Sequence, residues 1–309
     1  MTSNCSRRIV RAVLAAGCAT TMMLGSHQAL AYGAPRYGPA QSNWRSGVIA
    51  SIEDPDLLPP GMNDAACRVL PGTRPVVLLN GAFLNKYATW SKFSEQLSSS
   101  GTCVFGLDYG GPTDGPFHQM GDLRSSAAQI GRFVDHVRAV TGSSKVDLVG
   151  YSEGGLVPFY FLNVLGGASK VATLVSLASP VRGMSGYGIL DALATIPQAS
   201  AALGKVLPAA VDGTADSSFV RAITAGGLTR PGVRYVSVSS LADSVVMPAE
   251  ARLPAASNVT DVVVQHYCPQ DQVFHGSIIY DDVALRLVRN ALTPDRAVAV
   301  TCAVVLPFS

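Results

Sequence analysis

From residue 75 onward, short apolar and β-branched runs alternate with longer stretches whose apolar positions recur at helical spacing. The runs 76–79, 104–107, 146–149, 171–177, 233–238 and 259–264 read as strands. Residues 88–97, 122–140, 154–165 and 281–292 read as helices, with Ile130, Phe133, Val134 and Val137 marking one apolar face of the second. Nearly unbroken apolar strands separated by helices predict a mostly parallel central sheet covered by helices on both faces. Two stretches break the rhythm. Residues 32–74 carry many Pro and Gly and read as an irregular lead-in. Residues 183–227 hold Leu190, Leu193, Ile196, Leu203 and Leu207 at roughly helical intervals, and Pro197 must break or kink any helix there. This segment is expected to be a helical cap or lid within a single domain spanning 32–309; additional core helix is the alternative.

The first 31 residues stand apart. Arg7, Arg8 and Arg11 precede an apolar stretch from 12 to 24, and Ala29-Leu30-Ala31 follows as a small-residue cleavage site. Residues 1–31 are therefore expected to be a signal peptide and the mature chain to be secreted. Only 14% of the chain is charged, yet no internal apolar run is long enough to span a bilayer. Loss of the signal removes three of 23 basic residues and none of the 21 acidic ones, leaving a net charge of about −1. Such a balance gives no electrostatic handle for nucleic acid. Cys67, Cys103, Cys268 and Cys302 remain, and four cysteines in an exported chain suggest two disulfides. Cys67–Cys103 with Cys268–Cys302 is the favoured connectivity of three, because each bond closes a local loop. No pair has CxxC spacing, so a metal site is not expected.

The chemistry centres on Gly150-Tyr151-Ser152-Glu153-Gly154. A G-x-S-x-G pentapeptide says little alone, but here a strand ends directly before it and a helix starts directly after. That is the strand–turn–helix of a nucleophile elbow in an α/β-hydrolase fold. The hydroxyl of Ser152 needs a base, and the base needs an orienting carboxylate, in the chain order Ser, Asp or Glu, His. Of the five histidines only His266 and His275 follow the serine. His266 abuts the last strand and reads as structural, whereas His275 lies in the loop before the final helix and is the preferred base. Asp243, in the loop after strand 233–238, is the preferred acid. Asp261 sits at the start of a strand, Asp271 is too near His275 in sequence, and Asp108 precedes the serine and reads as a backbone acceptor in its own turn. The oxyanion donors are expected to be the N–H groups of Ala82 and Glu153. The side chain of Glu153 is expected to face solvent or cap the helix.

Residues 74–81, Trp90, residues 103–110, Ser152 in its elbow, residues 243–248, Cys268-Pro269, His275 and Tyr280-Asp281 together resemble the secreted triacylglycerol lipases and esterases of actinobacteria. The resemblance runs over nearly all of the mature chain and is weakest in the cap. It implies a triad of Ser152, Asp243 and His275 and the same two disulfides. The chain departs from the family's usual pattern at Asn80 (His), Tyr151 (often His) and Glu153 (commonly Gln), none of them a triad position.

The expected activity is carboxylic ester hydrolysis through an acyl-enzyme, on lipid or other hydrophobic esters, with no cofactor. The expected partners are the ester or lipid substrate and transient contact with a lipid interface, without nucleic acid or an obligate protein partner. The same triad would also serve an acyltransferase or a cutinase-like polyester hydrolase. A catalytically silent lipid-binding surface protein is the reading from another class. An Asp at the elbow, as dehalogenases and epoxide hydrolases require, is absent.

Overall fold

The computed structural model describes residues 35–111, 114–185, 205 and 207–303. The expected signal segment and 186–204 and 206 of the expected cap lie outside them. The strands are β1 (Val76–Leu79), β2 (Val104–Gly106), β3 (Val146–Tyr151), β4 (Val171–Leu177), β5 (Arg234–Ser239) and β6 (Val259–Val263). The helices are α1 (Trp44–Glu53), α2 (Lys86–Ser98), α3 (Leu123–Thr141), α4 (Glu153–Asn163), α5 (Pro208–Asp212), α6 (Ser218–Thr224), α7 (Pro248–Ala251) and α8 (Asp282–Leu292).

The strands pair in the order β2-β1-β3-β4-β5-β6, and every one of these pairings is parallel. Alternate side chains of β1 point to opposite faces, so Val77 and Leu79 enter one core while Val76 and Leu78 enter the other. The first core receives Ile130 and Val134 of α3 and Leu156 and Val157 of α4. The second receives Trp90 and Phe93 of α2 and Leu285 and Val288 of α8. Each such buried side chain contributes about 1.5–3 kcal/mol, which is why β1 is apolar on both sides. This is the doubly covered parallel sheet of an α/β-hydrolase fold, and all its strand-to-helix loops leave from the same rim.

Local signals set the helix starts. The side chains of Asn85, Asp122 and Asp281 accept hydrogen bonds from the N–H groups of Ala88, Ser125 and Ala284, satisfying donors that a helix leaves unpaired. Gly142 ends α3 at φ +67°, the left-handed conformation a helix stop favours.

The lead-in corrects the sequence expectation, since α1 lies within it. Asn43 caps this helix by accepting from Ser46 N–H at 3.0 Å. Its Ile49 and Ile52 are exposed, so no inward apolar stripe marked the helix in the sequence. Close approach at Gly47, where a Cβ would come 2.2 Å from Tyr280 Oη, seats it instead. Cys67 is bonded to Cys103 at the start of β2, and Cys268 to Cys302. Among the described residues, no helix is long and apolar enough to cross a membrane.

Candidate active site

Ser152 sits between β3 and α4 at φ +52° and ψ −127°. A non-glycine residue pays for such a backbone, and it persists only where the surroundings hold it. Here Ser152 N–H donates to Leu177 O at 2.9 Å, and its carbonyl accepts from Gly155 N–H and Ser179 Oγ. The flanking glycines have a steric cause. A Cβ on Gly150 would fall 2.1 Å from the Gly154 carbonyl oxygen, and one on Gly154 would fall 2.4 Å from that of Asn80.

The structure brings Ser152, His275 and Asp243 into one hydrogen-bonded chain. His275 Nε2 lies 2.9 Å from Ser152 Oγ, and His275 Nδ1 lies 2.8 Å from Asp243 Oδ2. An ionised carboxylate only accepts, so Nδ1 carries the proton and Nε2 is left to accept from the serine. Asp243 Oδ1 accepts from Val245 and Val246 N–H at 2.8 and 2.9 Å, which fixes the carboxylate from behind.

Tyr151 adds a support that sequence reasoning missed. Its hydroxyl donates to His275 O at 2.9 Å, and its ring lies 5.1 Å from the imidazole. Burial, with the Asp243 charge nearby, raises the phenol well above its ordinary range, so it remains a neutral donor. The only hint in the sequence was its place beside the nucleophile.

The loop after β1 faces the elbow. Asn80 is fully buried; its side-chain amide nitrogen donates to Leu84 O, and its main-chain carbonyl accepts from Tyr109 Oη at 2.7 Å. Phe83, at φ +62°, spends its N–H on His118 O. Ala82 N–H has no acceptor among the described residues, and Glu153 N–H is the first of α4, a donor the helix itself leaves unpaired. Both residues line the cleft that holds Ser152.

The side chain of Glu153 departs from expectation, because it borders the cleft instead of facing solvent. Its Oε1 accepts from Gln119 Nε2 at 2.7 Å. Burial pushes the carboxyl up to about 8, the Gln119 amide opposing and Asp212 reinforcing the shift. Gln119, wholly buried and at φ +57°, carried no recognisable signal in the sequence.

Other candidates fall elsewhere. His266 is exposed, and Asp261 accepts from Leu253 N–H on the edge strand. Asp271 is buried and accepts from Val273 N–H. Asp108 does not serve its own turn; it accepts from Lys86 N–H at 2.7 Å and pairs with the Lys86 ammonium at the start of α2. A cavity of about 250 Å³ opens over Ser152, walled by apolar groups including Ala82, Leu156, Met184, Leu207, Ala210 and Val245. Among the described residues, no group of three or more His, Cys, Asp or Glu is placed to hold a metal ion.

The family of lipases described as class 2 matches residues 73–286. A triacylglycerol lipase of Pseudarthrobacter phenanthrenivorans is 31% identical over 116 residues, covering 35% of this chain and 34% of that protein. One of Burkholderia plantarii is 31% identical over 116 residues, covering 35% and 30%. The chain thus spans about a third of the length of these curated relatives. Among solved structures, Aspergillus fumigatus lipase B aligns with a TM-score of 0.56 at 16% identity, over 75% of this chain and 54% of that one. Mature Bacillus licheniformis lipase BlEst2 aligns at 0.54 and 18% identity, over 73% and 94%. Both likenesses are of fold.

Proposed function

The chain belongs to the class 2 lipase family, and from that membership we propose that it is a secreted serine hydrolase that cleaves lipid or other hydrophobic esters through an acyl-enzyme. The observation that carries this is the hydrogen-bonded Ser152–His275–Asp243 chain opening on an apolar cavity.

His275 takes the proton from Ser152 as Oγ attacks the ester carbonyl, and Asp243 steadies the imidazolium. The N–H groups of Ala82 and Glu153 receive the developing oxyanion. His275 then passes its proton to the leaving alcohol, and water repeats the cycle to free the acid. The cavity suits an acyl chain better than a polar group. Met184, Leu207, Ala209 and Ala210, from the described part of the expected cap, line it. Exposed Phe83, Val245, Met247 and Leu241 lie on the oxyanion and acid loops, an apolar rim suited to transient contact with a lipid surface. Two disulfides suit an oxidising compartment, in keeping with export through residues 1–31.

The test is labelling with a fluorophosphonate probe together with a chain-length series of nitrophenyl esters and an emulsified triglyceride. Wild type is labelled and Ser152→Ala is not. An unlabelled wild type removes the hydrolase reading, and turnover of acetyl esters alone removes the lipid one.

A further inference from the structure

Asp243 and His275 come from different loops, so their 2.8 Å contact depends on how far apart those loops stand. The loop after β5 carries Asp243, and the loop before α8 carries His275. Two side chains outside the triad join them. Ser240, wholly buried just past the end of β5, donates from Oγ to Val273 O at 2.6 Å, shortly before His275. The same oxygen accepts from Ala242 N–H at 3.1 Å and from Gln265 Nε2 at 2.9 Å. A hydroxyl has one donor and two acceptor sites, and all of them are engaged here.

Gln265 stands in the short turn Val264–His266 that follows β6. Its Oε1 accepts from Leu241 N–H at 2.8 Å, just before Asp243. Its Nε2 donates to Ser240 Oγ and, at 3.0 Å, to Asp271 O. A main-chain N–H can only donate and a carbonyl can only accept, so these partners fix which end of the amide is oxygen. A carboxamide offers an acceptor and two donors in one plane, and each finds its partner on one of the two loops. Asp271 in turn accepts from Val273 N–H at 3.0 Å, shaping the turn that leads to His275.

Building on the hydrolase reading, we propose that Ser240 and Gln265 are positioning residues for the reaction at Ser152: they clasp the Asp243 loop to the His275 loop and set the spacing of carboxylate and imidazole. Their hydrogen bonds reach the two loops and not the nucleophile. The other supports act on one loop at a time. Val245 and Val246 N–H hold Asp243 from within its own loop, and the Tyr151 hydroxyl holds the His275 carbonyl from the elbow. The clasp alone among these fixes one loop against the other. Misplacing a reacting group by about 1 Å can cost about a hundredfold in rate, so the effect of the clasp falls on kcat.

The experiment compares wild type, Gln265→Leu, Ser240→Ala and the double variant, each shown folded by circular dichroism. It measures kcat and KM on a soluble nitrophenyl ester and the proton NMR resonance of His275 Nδ1–H. In Gln265→Leu, kcat is expected to fall at least about tenfold with KM within about twofold. The double variant should lose about as much as the more affected single one, because the two residues act as a unit. The downfield Nδ1–H resonance, sharp in wild type, should move upfield and broaden in the variants as the hydrogen bond to Asp243 loosens. If Ser240→Ala, which leaves the Val273 carbonyl without its donor, does not fold, Gln265→Leu at a half-buried position carries the test. A folded Gln265→Leu with wild-type kcat overturns the proposal, as does a loss confined to KM or a fall in kcat with the resonance unmoved. A wild type that neither takes the fluorophosphonate label nor hydrolyses esters removes the hydrolase reading. The resonance still reads the clasp without turnover, so the two failures are distinct.

Discussion

The two walls of the cleft are held by different means. The wall that carries Ser152, Asp243 and His275 is fastened to backbone at nearly every point: Asp243 to two successive N–H groups, His275 through the Tyr151 hydroxyl, and Ser152 at both its N–H and its carbonyl. The opposite wall, around α5, has a few main-chain ties, Ala209 N–H to Met120 O at 3.3 Å and Met184 N–H to Gly213 O at 2.8 Å, and otherwise rests on apolar contact and an electrostatic clamp. There Asp212 accepts from Leu123 N–H at 3.1 Å and pairs with Arg124, which also bonds Ser218 and lies 5.7 Å from the Phe219 ring centre. A wall of backbone hydrogen bonds has one geometry. A wall of apolar contacts around a single clamp tolerates repacking. On the proposed function, the first should govern rate and the second the acyl chain that is accepted.

The contrast is sharpest at Asp243. Asp243→Asn should lower kcat by about 10⁴-fold with little change in KM, because the imidazole loses its acceptor and turns to the wrong tautomer. A loss confined to KM would show that Asp243 shapes binding instead. Tyr151→Phe keeps the ring but frees the buried His275 carbonyl, so it should cost about 1–3 kcal/mol in denaturant unfolding and about tenfold in kcat. Unchanged kcat in an equally destabilised variant would mean that the phenol holds the loop without aligning the imidazole. Asp212→Asn is expected to do least: about a fivefold change in kcat/KM ratios between long-chain and acetyl esters, with acetyl turnover nearly preserved. An equal fall on both would break the division between the walls.

Glu153 also ties stability to pH. Its folded-state carboxyl is raised, so between the ordinary carboxylate range and about 8 the folded chain binds more protons than the unfolded one. Its contribution therefore falls as pH rises through that window. In thermal unfolding, wild type should lose ground to Glu153→Gln from pH 5 to 8, and parallel curves would show that the carboxyl is already ionised when folded.

What the sequence made legible follows the same divide. Strands buried on both faces declare themselves by composition, and 76–79 and 171–177 coincide with β1 and β4. The elbow was legible because two glycines and a strand–helix junction are dictated by close contacts near Ser152. The structure brings Ser152, Asp243 and His275 together, the residues that chain order singles out. Helix α1 was not legible, since contact at Gly47 seats it and no apolar face advertises it. The Gln119–Glu153 pair was hidden for another reason: a glutamine 34 positions from its partner leaves no periodic trace, and only the packed fold brings the half-buried carboxyl against it.

The contact between Gly154 and the carbonyl oxygens of Leu79 and Asn80 bears on how such an enzyme could be remade. Two stretches of main chain meet there with no side chain between them. The spacing of the two donors is consequently a property of the scaffold, beyond the reach of point substitution at those positions. Laboratory evolution toward the proposed activity would find its freedom in the Glu153 and Gln119 side chains and the apolar wall, while the span between the Ala82 and Glu153 N–H groups is inherited unchanged.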